Sequence, residues 1–239
     1  VDYATADGTA MAGSDYSSAT GTVTLNPGDT SKPVTVTTQT DTVDEADETF
    51  TFNLFNPTNA TIATSQVVGT IVDDDGSPTI TIDDVTVNPE GGSGTKSAVF
   101  TVSLSAPSEK TITVDYATAD GTATVVNDYS QATGTVTFSP GDTSKPVTVT
   151  TQTDTIDEAD ETFAVNLSNP TNATVADSQG VGTIVDDDAT PTVSFTSATQ
   201  TSANESGTMT LTAQLSAVSG LEVTVPFTVS GTATGGGTD

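Results

Sequence analysis

The sequence predicts an all-β chain: tandem antiparallel β-sandwiches arranged in a linear array. Three observations carry this. Apolar residues recur at a period of two, as on half-buried strands, and no stretch holds a 3.6-residue period over ten residues. Turn-forming Gly, Pro, Asn and Asp clusters punctuate the strands at short intervals. Finally, residues 1–75 align without a gap on residues 114–188, and only 14 of the 75 aligned positions differ, so the chain is a repeat array.

A third, more divergent copy begins near Thr190. Its TPTVSF matches SPTITI at Ser77, its AQLSA matches VSLSA at Val102, and its VTVPFTVSGTA matches ITVDYATADGTA at Ile112. The expected organisation is therefore the C-terminal part of one repeat at 1–75, a complete repeat at 77–188, and the N-terminal part of a third at 190–239. The joining linkers are only a few residues long and each ends in Pro, which leaves little freedom.

Within the complete repeat, Ile80 and Ile82 open the first strand, and Phe100, Val102 and Leu104 mark the second after the turn-rich NPEGGSG at Asn88. Ile112, Val114 and Tyr116 mark the third, Val136 and Phe138 the fourth. A Pro140-Gly141 turn follows, and Pro146 is placed at a strand start, where no ladder donor is needed. Val147 and Val149 form the fifth strand, Phe163, Val165 and Leu167 the sixth, and residues 181–185 the seventh. Seven short strands in about 110 residues predict an immunoglobulin-like sandwich.

The charge is concentrated. DTVDEADETF at residues 41–50 recurs as DTIDEADETF at 154–163, and a run of three aspartates follows each, at 73–75 and 186–188. Two unit charges about 4 Å apart repel by roughly 4 kcal/mol at an effective dielectric near 20, so such carboxylates need a counter-charge. The chain holds four Lys, no Arg and no His. The cation must come from solution, and an all-oxygen carboxylate site selects a hard ion, calcium before magnesium.

Composition narrows the function classes. A formal net charge of −28 argues against nucleic acid and anionic lipid as partners, and no run is apolar enough to insert in a membrane. With no Cys there are no disulfides, thiolate sites or cysteine nucleophiles, and bound metal is the remaining staple. Paired carboxylates could serve a glycosidase, but the missing His, Cys and Arg and the duplication of the same acids point away from an enzyme.

Six blocks in order (Y-x-T-x-D-G-T-A, D-Y, G-T-V-x-F, P-G-D-T-x-K, D-x-x-x-E-x-x-E-x-F and T-I-x-D-D-D) resemble the Calx-beta domain of sodium/calcium exchangers and bacterial surface proteins. In the middle repeat they begin at Tyr116, Asp128, Gly134, Pro140, Asp154 and Thr183. The resemblance implies a seven-stranded sandwich that binds Ca2+ at the pole joining it to its neighbour. Carried over by position, it implies as ligands Glu90, Asp128, Asp154, Glu158, Glu161, Asp186, Asp187 and Asp188, with the Ile156 carbonyl. In the first repeat these become Asp15, Asp41, Glu45, Glu48, Asp73, Asp74 and Asp75, with the Val43 carbonyl; the third retains Glu205 and Asp239. Thr40 and Thr153 stand where the exchanger modules carry a further aspartate, which implies fewer or weaker ions per site.

Four interleaved acids, Asp44, Asp47, Asp157 and Asp160, are expected to face solvent or to brace the ligands. Tyr3, Tyr16, Tyr116 and Tyr129 are expected in packing roles. The functional expectation is a calcium-binding structural repeat of an extracellular or cell-surface filament, stalk or adhesin, whose partners are calcium, neighbouring repeats and other copies of the chain. The alternatives are modules that bind a surface partner or polysaccharide themselves, or a calcium-sensing regulatory module.

Overall fold

The computed structural model describes residues 1–197 and 209–231. Among the described residues it holds fifteen strands and no helix. They are β1 (Asp2–Asp7), β2 (Thr20–Thr22), β3 (Glu48–Phe55), β4 (Gln66–Ile71), β5 (Thr79–Ile82), β6 (Val85–Val87), β7 (Gly94–Leu104), β8 (Ile112–Asp120), β9 (Thr133–Phe138), β10 (Ser144–Thr153), β11 (Glu161–Thr171), β12 (Thr174–Val175), β13 (Gln179–Ile184), β14 (Val193–Phe195) and β15 (Ala213–Leu215).

Strands β5 to β13 close one sandwich. One sheet has the order β10-β7-β5-β12, the other β6-β13-β11-β8-β9. The pairings are antiparallel except for the short contacts of β12 with β5 and β13 with β6. All seven expected strands are present. The two short ones, β6 and β12, escape the sequence reading because two or three residues cannot display a period. The first strand is split: after Ile82 the chain leaves one sheet and re-forms as β6 in the other. Pro146 is the third residue of β10 rather than its start, and is accommodated because β10 is an edge strand.

The inward residues of both sheets form one core. Phe100, Val102, Ile112, Val114, Phe138, Val149, Phe163 and Val165 are all buried, and the residues between them along each strand are mostly Thr and Ser. Phe163 stacks on Tyr129 with ring centroids 4.7 Å apart and meets Phe100 edge-on at 5.9 Å. Its ring lies over its ladder partner Gly182, where a Cβ would sit 2.4 Å from Phe163 Cζ, so the stacking requires glycine. The Tyr129 hydroxyl donates to Asp120 Oδ1 at 2.5 Å, which satisfies the one polar atom of a ring otherwise buried.

The first unit repeats half of this. Its sheet runs β2-β1-β3-β4, with Tyr16 stacked on Phe50 at 4.6 Å and bonded to Asp7 at 2.6 Å. Tyr16 and Tyr129 are buried, and Tyr3 and Tyr116 half-buried, so all four pack. In the central sandwich β5 to β7 cover the face that holds Phe138 and Gly180, and the matching Leu25 and Val67 of the first unit are exposed. Of the third unit the described part holds the β14–β15 pair.

Candidate metal centres at two acidic poles

Pairing of β11 with β13 sets Glu161 opposite Ile184. The start of one strand therefore lies beside the end of the other, and the loop 154–160 meets the aspartates 186–188 at one pole, as antiparallel pairing predicts. Side chains knit the two segments together. The Asp186 amide donates to Asp160 Oδ1 and the Glu158 amide to Asp186 Oδ1, both at 3.2 Å. Asp128 is brought in by the bridges of Tyr129 to Val125 and Thr151. Glu90 arrives from the turn before β7, its amide on the Val185 carbonyl at 2.9 Å.

Carboxylate oxygens of Asp128, Glu158 and Glu161 lie within 4.8 Å of one another, and so do those of Asp15, Glu45 and Glu48 in the first unit. The first pole is a cleft of about 330 Å³ whose walls include every first-repeat residue singled out by sequence: Asp15, Asp41, Val43, Glu45, Glu48, Asp73, Asp74 and Asp75. At the second pole, Asp128, Asp154, Ile156, Glu158 and Glu161 line the matching cleft, with Asp186 and Asp188 close enough to press on Glu158 and Glu90. Asp187 accepts from the Gly91 amide at 2.7 Å through Oδ1. Glu205 and Asp239 lie outside the described residues.

The electrostatics are those of carboxylates short of a counter-ion. Burial, then the charges of Asp154 and Glu158, push Glu90 up to about 7. Burial followed by Asp128 lifts Glu161 to about 7. Glu45 is also lifted to about 7, by burial and then by Glu109, a residue of the following unit. Glu48, Glu158, Asp75 and Asp188 are all raised, burial being the first cause in each. The Asp188 Oδ2 atom is shielded from solvent and accepts no hydrogen bond. An all-oxygen set from three separate segments, with an orphaned carboxylate oxygen among them, fits a hard divalent cation.

Two of the four interleaved acids depart from expectation. Asp44 is 2% exposed and Asp157 7%, because each is covered by the next unit along the chain. Asp44 accepts from Ser108 Oγ at 2.7 Å, Lys110 Nζ at 2.9 Å and Ser77 Oγ at 3.3 Å. Burial alone would raise its carboxyl, but these hydrogen bonds outweigh it and hold Asp44 below its ordinary range. Asp157 repeats the contact with Ser219 Oγ at 3.1 Å and Thr190 Oγ1 at 3.3 Å. The signal lay in the matching stretches SAPSEK at 105–110 and SAVSGL at 216–221, which share the serine that reaches back. Asp47 and Asp160 do brace the ligand segments, accepting from the amides of Asp73 and Asp186.

These features define a class: tandem β-sandwich repeats with an acidic pole at each junction. The Calx-beta domain model matches residues 1–86, 73–185 and 186–239, and the chain belongs to the Calx-beta domain family. It is 31% identical over 140 residues to sodium/calcium exchanger 2 of Rattus norvegicus, covering 52% of this chain and 15% of that protein. To sodium/calcium exchanger 1 of Canis lupus familiaris it is 48% identical over 56 residues, 23% of this chain and 6% of that one. The chain thus spans a small part of the length of the curated relatives it matches. Among solved structures, the apo-form Calx CBD1 domain is 24% identical with a TM-score of 0.39, covering 46% of this chain and 99% of that one. CBD12 from CALX1.2 is 22% identical, also at 0.39, over 77% and 86%.

Proposed function

We propose that the chain is a calcium-binding structural repeat in which a cation at each acidic pole ties together the loop, the exit strand and, through that strand, the next unit. The observation that carries this is the convergence at one cleft of carboxylates from three separated segments, several lifted far above their ordinary range. At the first pole the residues that would hold the ion are Asp15, Asp41, Glu45, Glu48, Asp73, Asp74 and Asp75, with the Val43 carbonyl. At the second they are Glu90, Asp128, Asp154, Glu158, Glu161, Asp186, Asp187 and Asp188, with the Ile156 carbonyl. Calcium supplies the positive charge these groups lack. The units it serves are residues 1–75, 77–188 and 190–239, in single file.

The reading extends to the setting. Near-identical copies that mainly add length suit the stalk of an extracellular or cell-surface filament or adhesin, with neighbouring repeats and further copies of the chain as partners. Extracellular calcium modules have dissociation constants of about 10⁻⁴ to 10⁻³ M, so they are filled outside a cell. No catalytic role is assigned. The sodium/calcium exchanger relatives favour one second reading, a calcium-sensing regulatory module, for which constants of about 10⁻⁷ to 10⁻⁵ M are typical.

Calorimetric calcium titration of the intact chain separates the two settings by affinity, and melting temperature in calcium and in chelator tests the site. A cation that binds only the folded state at about 100 times its dissociation constant adds roughly 2.7 kcal/mol per site. Glu158→Gln with Asp187→Asn is expected to remove the central unit's share of the shift. A melting temperature indifferent to chelation would reduce the poles to solvated surface.

A further inference from the structure

We propose that the hydroxyls of Thr151 and Thr153 hold the cation of the second pole from the core side, Thr153 as a neutral ligand and Thr151 through a water that the ion keeps. This rests on the calcium reading above and adds oxygen donors that lie outside the acidic motif.

Strand alternation fixes where the two side chains face. β10 pairs with β7 without a break from Ser144 to Thr153, so Thr151 and Thr153 share the face of Val147 and Val149, which belong to the core. On the opposing sheet the inward row of β11 runs Leu167, Val165, Phe163 and then Glu161. The core therefore turns polar at the end nearest the acidic loop, with two threonines on one sheet and a carboxylate of the cation cleft on the other. Thr151 bridges to Tyr129, and the Gln152 amide donates to the Asp128 carbonyl at 2.8 Å. The turn that carries Glu90 packs alongside. A Cβ on Gly91 would lie 4.0 Å from Thr153 Cγ2, and one on Gly92 would lie 3.5 Å from the Asp154 carbonyl oxygen.

Neither hydroxyl has a partner. Thr151 is fully buried, at 0% exposure, and the Oγ1 atoms of both residues are shut off from solvent without a hydrogen bond. Lys96, the ladder partner of Thr151, donates instead to the Pro89 carbonyl. Among the described residues the only other buried side-chain oxygen in this state is Asp188 Oδ2, at the same pole. Buried polar atoms are nearly always paired, so three unpaired oxygens at one end of one sandwich mark where a cation fits. The first unit gives the same placement, because its identical stretch sets Thr38 and Thr40 in the wall of the first cleft beside Asp15, Asp41 and Glu48. Calcium takes roughly six to eight oxygens, charged and neutral alike, and keeps waters among them. A hydroxyl completes that shell without adding charge to a pole whose carboxylates already repel one another.

The test uses the intact chain with the first pole silenced by Glu45→Gln and Glu48→Gln, titrated with calcium chloride by calorimetry. Terbium chloride, sensitised through Tyr129, gives the number of ion-bound waters from luminescence lifetimes in H2O and D2O. Thr153→Val is expected to weaken calcium roughly tenfold and to raise the water number by about one, because a water takes the place of the hydroxyl. Thr151→Val is expected to weaken it about threefold with the water number unchanged, because the water loses only its anchor. Thr153→Ser keeps the oxygen and should keep the affinity. In chelator both valine variants should melt no lower than the parent chain, since an apolar group of the same shape relieves an unpaired buried hydroxyl. Lost calcium affinity without lost chelator stability is a combination that a packing role does not produce. If Thr153→Val leaves affinity and water number unchanged while Glu161→Gln abolishes binding, the hydroxyl ligand is wrong and the calcium reading stands. Equal losses in Thr153→Ser and Thr153→Val would assign the effect to shape and overturn it as well, and an unchanged affinity in Thr151→Val would overturn the water bridge. If the second pole takes up no calcium with both threonines intact, the proposal and the calcium reading fall together.

Discussion

The two acidic poles carry nearly the same loop, DTVDEADETF and DTIDEADETF, yet meet different neighbours. At the first, the next unit offers Ser108, Glu109 and Lys110; at the second, Ser219, Gly220 and Leu221. A lysine sits on Asp44 and Asp73 in one case, and an apolar residue stands in its place in the other. Near-identical repeats therefore do not make identical junctions. The repeated acids define where a cation belongs, and the unrepeated residues of the following unit decide how firmly the two units dock around it.

The largest expected contrast is in pH dependence. Glu90 and Glu161 at the central pole and Glu45 at the first are lifted to about 7 in the folded protein, and Glu48, the counterpart of Glu161, is raised as well. A raised folded-state value means that the fold holds its proton more tightly than the unfolded chain, whose value is near 4.5. In chelator the stabilisation is full below that value and is lost as pH rises through 7. Thermal melts from pH 4.5 to 8 in chelator should show a falling melting temperature for both units. With calcium the slope should reverse, since protons then compete with the ion.

Next in size is the docking contact. Asp44→Ala removes the acceptor of a buried network that includes a lysine, and should loosen the first junction by about 2–3 kcal/mol. Asp157→Ala loses only the Ser219 and Thr190 hydroxyl donors and should cost about 1 kcal/mol. Hydrogen exchange at Lys110 and Leu221 would read the two separately; equal protection losses would contradict the asymmetry.

A third contrast lies inside the sandwiches. Gly182→Ala drives a methyl into the Phe163 ring and should destabilise the central unit by about 1–3 kcal/mol. Gly69→Ala faces Phe50 at a similar distance, but Phe50 is 8% exposed against 1% for Phe163 and has more room to yield. The smaller loss is expected there, by urea unfolding.

The smallest effect is a gain. Val126, a β-branched residue at a φ of 85°, occupies the position that Gly13 fills in the first unit at 104°. Val126→Gly should relieve backbone strain and stabilise the central unit by about 1 kcal/mol. A loss of stability on urea unfolding would show that the strain is not there to relieve.

Much of this was legible in the sequence, because strand periodicity and repeated acids are local signals. The seven main strands and the meeting of loop and exit strand follow from alternation and antiparallel pairing alone. What was not legible depends on partners. SKPVTVTTQT occurs identically at 31–40 and 144–153. The second copy is β10, held along its length by β7; the first is paired along its length with no strand among the described residues and makes a single bridge at Thr38. The burial of Asp44 and Asp157 is hidden for the same reason: the residues that cover them lie more than sixty positions away in the next unit.

The central claim, one cation tying loop to exit strand at each pole, is tested most directly by anomalous diffraction from crystals of the intact chain grown in calcium. The account predicts a peak in each cleft, bonded by Glu45 and Glu48 together with an aspartate of 73–75 at the first, and by Glu158 and Glu161 together with an aspartate of 186–188 at the second. Clefts without a peak, or ions held by the loops alone with the exit aspartates turned away, would contradict it.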